Sequence, residues 1–313
     1  MKASYAHYTL HFRQPAGTSR GVLTDKETYF LKLEDEDMPG VFGLGECAVF
    51  RGLSADDVPA YEDKLRELCA NISADKETDL HEFPSIRFGL ETAINDFANG
   101  CRRQPFPSDF TEGMSAIPIN GLVWMGTKEE MLHRIDDKIK AGFTTIKLKV
   151  GAIDTESELD LVRHIRKVFP PEVLTIRLDA NGGFTPDNAL QKLSDFARYG
   201  IHSIEQPIKQ GQWEAMRRIC SESPIDIALD EELIGIHTPE RMGEMLDAVR
   251  PKYIILKPSL IGGFSGSQDW IMQAARRDIG GWVTSALESN VGLNAIAQWT
   301  AQLGARMPQG LGT

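Results

Sequence analysis

Five ionisable residues recur along the C-terminal two-thirds of the chain at intervals of about 25 to 30 residues. This regular spacing constrains the fold more than any other feature of the sequence. Each stands at or near the end of a short apolar run with the composition of a β-strand. The five residues are Lys149, Asp179, Glu205, Asp230 and Lys257. One strand and one helix together occupy about that many residues, so the spacing predicts successive βα units whose strands end in charged side chains.

The segments between these strands carry the signals of amphipathic helices. Thr127 and Thr155 each precede a glutamate by three residues, which is the spacing of a capping box. Thr185 and Thr238 each precede a proline, which predicts a helix that begins at that proline. Apolar strands that alternate with such helices are typical of a covered parallel sheet. We predict an α/β fold with a TIM-type (β/α)7β barrel; a doubly wound open sheet is the alternative, weakened by the lack of a glycine-rich dinucleotide motif.

The first hundred or so residues follow a different pattern. Three strand-like runs come first and two helical segments follow, near residues 56–71 and 87–100, which predicts an α+β module. The stretch RRQPFPSDFTEG, with two prolines and a terminal glycine, separates this module from the alternating part. We therefore place an N-terminal α+β domain at residues 1–110 and the barrel domain at residues 111–313.

Composition argues against several classes of function. The formal charge is -11 at pH 7, whereas proteins that bind nucleic acids or anionic membranes cluster Lys and Arg, so neither partner is expected. No apolar run approaches the roughly 18 residues of a membrane span, and MKASYAHYTLHF lacks the apolar segment of a signal peptide. The four cysteines form no CxxC pair, which argues against a zinc site or a disulfide framework. We expect a cytoplasmic protein.

Three carboxylates stand in the middle of the series. At the carboxyl ends of neighbouring parallel strands, Asp179, Glu205 and Asp230 would meet although they are distant in sequence. A single Asp after a strand is more often only a helix cap, but three consecutive units that each end in a carboxylate weaken that explanation. Oxygen ligands with open positions for water and substrate suit Mg²⁺, or alternatively Mn²⁺, better than Zn²⁺. The sequence therefore predicts a magnesium site.

Lysines flank the predicted metal site. Lys147 and Lys149 are two residues apart on one strand, so both point to the same face; the simpler interpretation is a solvated basic strand end. A neighbouring cation and burial disfavour the protonated form of a lysine, and in this way a lysine becomes a base. Lys257 would approach from the opposite side of the metal. A small carboxylate substrate between these lysines could lose its α-proton to form an enediolate, and the five residues leave elimination, racemisation and isomerisation open.

The motifs around these residues resemble those of the enolase superfamily, in which a lysine base works with Mg²⁺. The superfamily motifs are KLK at 147–149, LDAN at 178–181, EQP at 205–207, LDEE at 229–232 and LKPS at 256–259. Within the superfamily the chain is similar to the muconate lactonising enzyme-like group, and most like the o-succinylbenzoate synthase family. That narrower resemblance rests on INGLVWMG at 119–126, IGGF at 261–264 and SALESNVGLNAIAQW at 285–299.

The resemblance implies a concrete reaction. The synthases of this family, which act in menaquinone biosynthesis, dehydrate 2-succinyl-6-hydroxy-2,4-cyclohexadiene-1-carboxylate to o-succinylbenzoate. The lysine that matches Lys149 removes the α-proton and then protonates the departing hydroxide on the same face, while the lysine that matches Lys257 stabilises the enediolate. Ser285 would lie near the succinyl carboxylate, with Asn181 and Arg177 as lesser candidates for substrate contacts.

The resemblance also implies how the rest of the chain is arranged. The N-terminal α+β module would be the capping domain of the family, with lid loops at residues 14–21 and 48–54. Family members continue beyond the eighth strand into a tail, so a chain that stops at QGLGT is expected to lack that tail. N-succinylamino acid racemase and dipeptide epimerase are the alternatives within the superfamily, although QGLGT offers no Asp-x-Asp pair of the kind that epimerases carry. A barrel that only binds a ligand is a more distant alternative.

Overall fold

Three antiparallel strands begin the fold, in the computed structural model that describes residues 1–18, 21–38 and 40–312. They are β1 (Lys2–Thr18), β2 (Gly21–Glu34) and β3 (Phe42–Cys47), in the sheet order β1-β2-β3. Helices α1 (Tyr61–Ser73) and α2 (Pro84–Ala98) follow and pack on this sheet. The predicted order of strands first and helices after is confirmed, although α1 begins later than predicted. We call β1–β3, α1 and α2 the N-terminal module.

Helix α2 lies very close to β3 because two glycines face each other. A Cβ atom added to Gly45 of β3 would stand 1.9 Å from the carbonyl oxygen of Gly89 in α2. A Cβ on Gly89 would in turn stand 2.4 Å from the sulfur of Cys47. No side chain larger than hydrogen fits at either position, so these glycines fix α2 against the strand.

Strands and helices then alternate through the rest of the chain. The strands are β4 (Gly121–Val123), β5 (Thr145–Lys149), β6 (Thr175–Asp179), β7 (Ser203–Glu205), β8 (Asp226–Leu229), β9 (Tyr253–Leu256) and β10 (Gly280–Val283). The helices are α3 (Lys128–Lys140), α4 (Thr155–Arg166), α5 (Ala189–Ala197), α6 (Trp213–Glu222), α7 (Pro239–Val249), α8 (Gly263–Ala275) and α9 (Asn290–Gln302). The strands form one parallel sheet whose order follows the chain from β4 to β10. A doubly wound sheet would reverse its order, so that alternative was wrong.

Residues beyond α9 join the two edges of the parallel sheet. Gln309 forms a parallel bridge with Ile119, which precedes β4, and Gly310 forms one with Thr284, which follows β10. The side-chain Oε1 of Gln309 also accepts a hydrogen bond from the backbone N–H of Val283 at 2.7 Å. The segment at 309–310 therefore lies between the first and last strands of the sheet.

Replacing Gln309 by alanine is expected to lower the free energy of unfolding by about 1–3 kcal/mol, because the buried N–H of Val283 loses its side-chain acceptor. Denaturant unfolding followed by circular dichroism measures this change. The matched control is Gln191→Ala on α5, where the exposed amide contacts Asp195, and it is expected to change stability by less than about 0.5 kcal/mol. Equal stability of the two variants would contradict a structural role for the Gln309 side chain.

The helix starts agree with two of the four sequence signals. Thr127 and Thr238 are the N-caps of α3 and α7, as predicted. The signal at Thr155 was wrong, because the preceding Asp154 caps α4 through its own side chain. Helix α5 starts only after Asn188, later than the Thr-Pro signal predicted. Asp is at least as effective as Thr at an N-cap, and Thr155 is already the first residue of α4. Asn188 makes no side-chain capping bond to α5; its Oδ1 instead accepts a hydrogen bond from the backbone N–H of Thr185.

Candidate active site

The carboxyl ends of β5 to β9 bring the five ionisable residues of the sequence pattern together. Lys149 lies opposite Asp179 across β5 and β6, and Asp179 lies opposite Glu205 across β6 and β7. Asp230 and Lys257 directly follow β8 and β9. The three carboxylate residues have relative exposures of 0%, 1% and 2% in chain order. The site therefore holds its charges away from bulk water.

Two lysines of β5 bind the carboxylates of the next two strands. The Nζ of Lys147 lies 3.1 Å from Oδ2 of Asp179 and 3.0 Å from Oε2 of Glu205. The Nζ of Lys149 lies 2.5 Å from the same Asp179 oxygen. On the other side of the site, Lys257 pairs with an oxygen of the neighbouring strand-end carboxylate, Asp230. Each buried carboxylate thus has an ammonium partner, which buried charges require.

The two lysines of β5 have pKa values that move in opposite directions. Burial works against the charge of Lys147, but Glu205 and Asp179 outweigh burial and raise its pKa. Burial is also the largest influence on Lys149, and the ammonium groups of Lys147 and Lys257 add to it, so its pKa is lowered in spite of Asp179. A lowered pKa is the direction that a lysine base requires.

The negative charge of the site is unevenly compensated. Burial raises the pKa of Glu205 well above its usual range, and the nearby Asp179 and Asp230 add to the rise. Burial would also raise the pKa of Asp179, but Lys149 and Lys147 reverse this and hold it well below its usual range. Further positive charge beside Glu205 would therefore stabilise its ionised form.

The donor set fits a divalent cation in its chemistry and its placement on neighbouring strands. Asp179, Glu205 and Asp230 are hard oxygen donors, which suit Mg²⁺. As the side chains stand, no three Asp, Glu, His or Cys groups of the described residues are arranged to hold an ion. Lys147 and Lys257 contact oxygens of these three carboxylates.

Asn181 connects the base candidate to an acidic residue without an assigned role in the sequence analysis. Its backbone adopts a left-handed conformation with φ of 43°, which Asn tolerates better than most residues. Its Oδ1 accepts a hydrogen bond from Nζ of Lys149 at 2.7 Å, and its Nδ2 donates one to Oε1 of Glu231 at 3.0 Å. Glu231 follows Asp230 in the LDEE motif, so the motif already indicated an acidic residue next to the candidate metal ligand.

Two further residues shape the site. The Oε1 of Gln206 accepts hydrogen bonds from the backbone N–H groups of Asp230 at 3.1 Å and Glu232 at 3.2 Å, and so holds the turn that presents Asp230. The ring centroid of Trp124 lies 5.9 Å from Nζ of Lys149, within range of a cation–π contact. Neither residue was predicted, although both belong to quoted motifs, EQP and INGLVWMG.

A cavity opens over these groups. Its lining includes Lys147, Lys149, Lys257, Asn181 and Ser285, with Trp124, Phe50 and Leu53 as apolar walls. About 630 Å³ of space free of protein atoms lies between these residues, and part of it is open solvent. The hydroxyl of Ser285 is buried and has no hydrogen-bond partner within the described part of the chain.

The two predicted lid loops differ in what the structure shows. Phe50 and Leu53 come from the segment 48–54, and both line the cavity. Of the segment 14–21, residues 14–18 belong to β1 and residue 21 to β2, and Thr18 pairs with Gly21. Residues 19 and 20 of this predicted loop lie outside the described residues.

Arg177 does not reach the cavity. It stands two residues before Asp179 on β6, and its guanidinium donates to the carbonyl oxygen of Pro308 at 2.7 Å. The guanidinium also lies 3.9 Å from the ring centroid of Trp282. Burial lowers the pKa of Arg177 to about 10, with Glu205 opposing the shift. This placement, below the carboxylates, does not support the predicted substrate contact.

Comparison with known proteins identifies the family. Residues 130–310 match the family described as enolase C-terminal domain-like. The chain belongs to this enolase family. Among its enolase relatives, an o-succinylbenzoate synthase of Desulfotalea psychrophila is 45% identical over 347 residues, which cover 100% of this chain and 93% of the relative. The crystal structure of MenC from the same strain has a TM-score of 0.88 at 42% identity and matches 100% and 94% of the two chains. The resemblance inferred from the motifs is thereby confirmed.

Two other enolase relatives bear on the metal and on the alternatives. An o-succinylbenzoate synthase from Thermosynechococcus elongatus, whose structure contains Mg in the active site, has a TM-score of 0.77 at 25% identity, covering 99% of this chain and 92% of that chain. An L-Ala-D/L-Glu epimerase of Bacillus subtilis is 30% identical, covering 84% and 74%. The enolase relatives thus include both o-succinylbenzoate synthases and an epimerase. Within the described residues, every helix is too short or too polar to cross a membrane.

Proposed function

We propose that this chain catalyses the dehydration of 2-succinyl-6-hydroxy-2,4-cyclohexadiene-1-carboxylate to o-succinylbenzoate, a step of menaquinone biosynthesis. The observation that carries the proposal is the pair of lysines, Lys149 and Lys257, that line one cavity beside three buried carboxylates. The choice of dehydration within the superfamily is supported by the 45% identity to a synthase along the whole chain, against 30% to the epimerase.

In this proposal Asp179, Glu205 and Asp230 hold Mg²⁺, with Mn²⁺ as the alternative ion. When bound, the ion supplies positive charge next to the substrate carboxylate and lowers the cost of forming an enediolate. The support is the donor set itself and the raised pKa of Glu205, whose burial calls for more positive charge nearby.

The lysines carry the proton chemistry. Lys149, as a neutral amine, takes the α-proton, and the electron pair of the broken C–H bond enters the enediolate. The ammonium of Lys257 faces the developing negative charge and stabilises it. The ring C–O bond then breaks, and protonated Lys149 gives its proton to the departing hydroxide, which leaves as water. The ring becomes aromatic. Lys147 keeps its proton, because Glu205 and Asp179 raise its pKa, and it keeps the pKa of Lys149 low.

Two polar residues are proposed to orient the substrate. The Ser285 hydroxyl is assigned to bind the succinyl carboxylate; in support, it is buried without a protein partner in the described part of the chain, and Ser285 lines the cavity. Asn181 lines the same cavity and orients Lys149 through a hydrogen bond. Arg177 has no substrate contact in this proposal and instead occupies the interior beneath the site.

We also propose the domain organisation and the closure of the sheet. An N-terminal capping domain at 1–110 and a catalytic domain at 111–313 are supported by separate hydrophobic cores. One is drawn from residues 3–93; the second domain has a large one from residues 123–311 with Phe88 added, and a small one around Trp282. A (β/α)7β barrel is supported by the bridges of Gln309 and Gly310 to the two edges of the sheet. A cytoplasmic location remains the proposal made from the sequence.

The decisive experiment is a turnover assay with purified protein and Mg²⁺. The cyclohexadiene substrate is run beside N-succinylamino acids and dipeptides, and a chelator-treated sample serves as control. We expect an aromatic product from the first substrate and loss of turnover with the chelator. Absence of the aromatic product with Mg²⁺ present would reject the dehydratase, and inversion of an N-succinylamino acid or a dipeptide instead would favour the racemase or the epimerase.

A further inference from the structure

A glutamate of the N-terminal module caps the N-terminus of helix α9. Glu46, at the end of β3, is fully buried. Its two oxygens accept hydrogen bonds from the backbone N–H groups of Ser289 and Gly292, both at 2.9 Å, and from the Ser289 hydroxyl at 2.5 Å. The first N–H groups of a helix have no partner within the helix, so this carboxylate satisfies them and places its charge at the positive end of the helix dipole.

A second glutamate of the module does the same for helix α8. Glu91 of α2 accepts hydrogen bonds on Oε2 from the backbone N–H groups of Phe264 at 2.6 Å and Ser265 at 3.2 Å. The hydroxyl of Ser265 contacts its other oxygen. Two consecutive barrel helices are thus capped by carboxylates from a different part of the fold.

At both helix starts a glycine lies next to the capping carboxylate. A Cβ atom on Gly292 would stand 2.8 Å from Oε2 of Glu46, and a Cβ on Gly263 would stand 2.4 Å from Oε2 of Glu91. A side chain at either position would push the glutamate away. The same local arrangement therefore occurs twice, with a glycine that admits the carboxylate and N–H groups that bind it.

The two capped helices follow the loops that carry active-site residues. The loop before α8 begins with Lys257, and the loop before α9 begins near Ser285. Glu288 joins these loops, since its carboxylate accepts hydrogen bonds from the hydroxyl of Ser259 at 2.5 Å and from the backbone N–H of Ala286 at 2.7 Å. A shift of either helix start would therefore move the residues that line the cavity.

One buried lysine balances the charge between the module and these loops. Lys26 of β2 has a relative exposure of 6%, and its Nζ donates to the carbonyl oxygen of Ala48 at 3.5 Å. Burial lowers its pKa, and the charges of Glu288 and Glu46 oppose that shift. The contact between the module and the loops thus consists of buried charged groups with defined partners, a geometry that tolerates little displacement.

We propose that Glu46 and Glu91 are positioning residues for the reaction. By capping the N-termini of α9 and α8, they fix the loops that carry Ser285 and Lys257. The inference rests on the proposed function. Glu46 acts through the loop that binds substrate, so its loss raises KM; Glu91 acts through the loop of the lysine that stabilises the enediolate, so its loss lowers kcat. Displacing a catalytic group by about 1 Å can cost about 10²-fold in rate.

The test compares the variants Glu46→Gln and Glu91→Gln with the wild-type protein. A Gln side chain keeps the size but offers one acceptor oxygen in place of two. We expect KM to rise about tenfold or more in Glu46→Gln, and kcat to fall about tenfold or more in Glu91→Gln. Gly292→Ala, whose added Cβ would stand 2.8 Å from both Oε2 of Glu46 and Cβ of Glu288, is expected to raise KM as well.

The matched control is Asp96→Asn. Asp96 is also a buried carboxylate of α2, but it binds the backbone N–H groups of Leu44 and Arg103 and no helix start. Its connection to α9 runs only through the carbonyl oxygen of Arg103, which accepts hydrogen bonds from Asn294 and Gln298. This variant is expected to lower Tm while kcat and KM stay within about twofold of wild type. If the two glutamate variants lower Tm in the same way and leave kcat and KM unchanged, the positioning role is overturned.

Amide hydrogen exchange separates this inference from the proposed function. Faster exchange confined to residues 285–292 is expected in Glu46→Gln, and to residues 257–265 in Glu91→Gln, whatever the substrate. A wild-type protein without synthase activity would reject the proposed function, and exchange would then decide the inference by itself. Unchanged exchange in both segments overturns it.

Discussion

Lys149→Ala is expected to reduce the turnover of the cyclohexadiene substrate by about 10⁴-fold, the upper end of what one acid–base group contributes. The reason is that Lys149 has two tasks in the proposed reaction, first taking the α-proton and then returning it to the departing hydroxide. Its environment supports the first task, because burial and two neighbouring ammonium groups lower its pKa. The measurement is kcat from the appearance of the aromatic product, together with exchange of the α-proton in deuterated water.

A second variant separates the role of a base from that of a positive charge. Lys149→Arg keeps a cation beside Asp179 but cannot lose its proton at accessible pH, so it is expected to be as inactive as the alanine variant. Lys140→Ala, at an exposed position near the end of α3, is the control and is expected to keep full activity. Substantial α-proton exchange in Lys149→Ala would contradict the assignment of Lys149 as the base.

Glu205→Gln is expected to weaken Mg²⁺ binding and to lower kcat by about 10³-fold or more. The variant removes one of three carboxylates proposed to hold the ion, and a bound cation supplies several kcal/mol of charge stabilisation to a transition state, at about 1.4 kcal/mol per tenfold change in rate. Titration calorimetry with Mg²⁺ measures the affinity, and steady-state assays at saturating Mg²⁺ separate lost affinity from lost rate.

The control for this prediction is Glu214→Gln, in the exposed first turn of α6. It is expected to bind Mg²⁺ as the wild type does. Thermal unfolding provides a second measurement, because an ion that binds only the folded state raises Tm, and this rise is expected to shrink in Glu205→Gln. If Glu205→Gln binds Mg²⁺ as tightly as the control and shows the same metal-induced rise in Tm, Glu205 is not a ligand of the ion.

The sequence predicted the layout of the site because its residues repeat with the unit of the fold. Strand ends of a parallel sheet meet at one edge, so a charged residue at the end of each strand was sufficient to place Asp179 beside Glu205. Helix caps were harder to predict, since Asp154 and Thr155 are both good candidates and only the local backbone decides between them. The bridge at Gln309 was too short to show a strand pattern.

Contacts between distant parts of the chain could not be predicted from local patterns. Arg177 has the alternation of a residue that faces the site, but its guanidinium turns toward Pro308 and Trp282 instead. Glu46 stands in an ordinary strand end, and nothing near it in sequence indicates that its partners lie 246 residues away at Gly292. Such pairings depend on how the module docks, which no periodicity records.

The distance in sequence between Glu46 and Gly292 also sets an order of events during synthesis. A ribosome adds about 5–20 residues per second, so those 246 residues take roughly 12 to 50 s to appear after Glu46. During this interval the strands and helices of the N-terminal module can form, while Glu46 and Glu91 remain solvated without their helix partners. The module therefore has time to fold before the cavity exists, and the catalytic site is assembled only when α8 and α9 have left the ribosome.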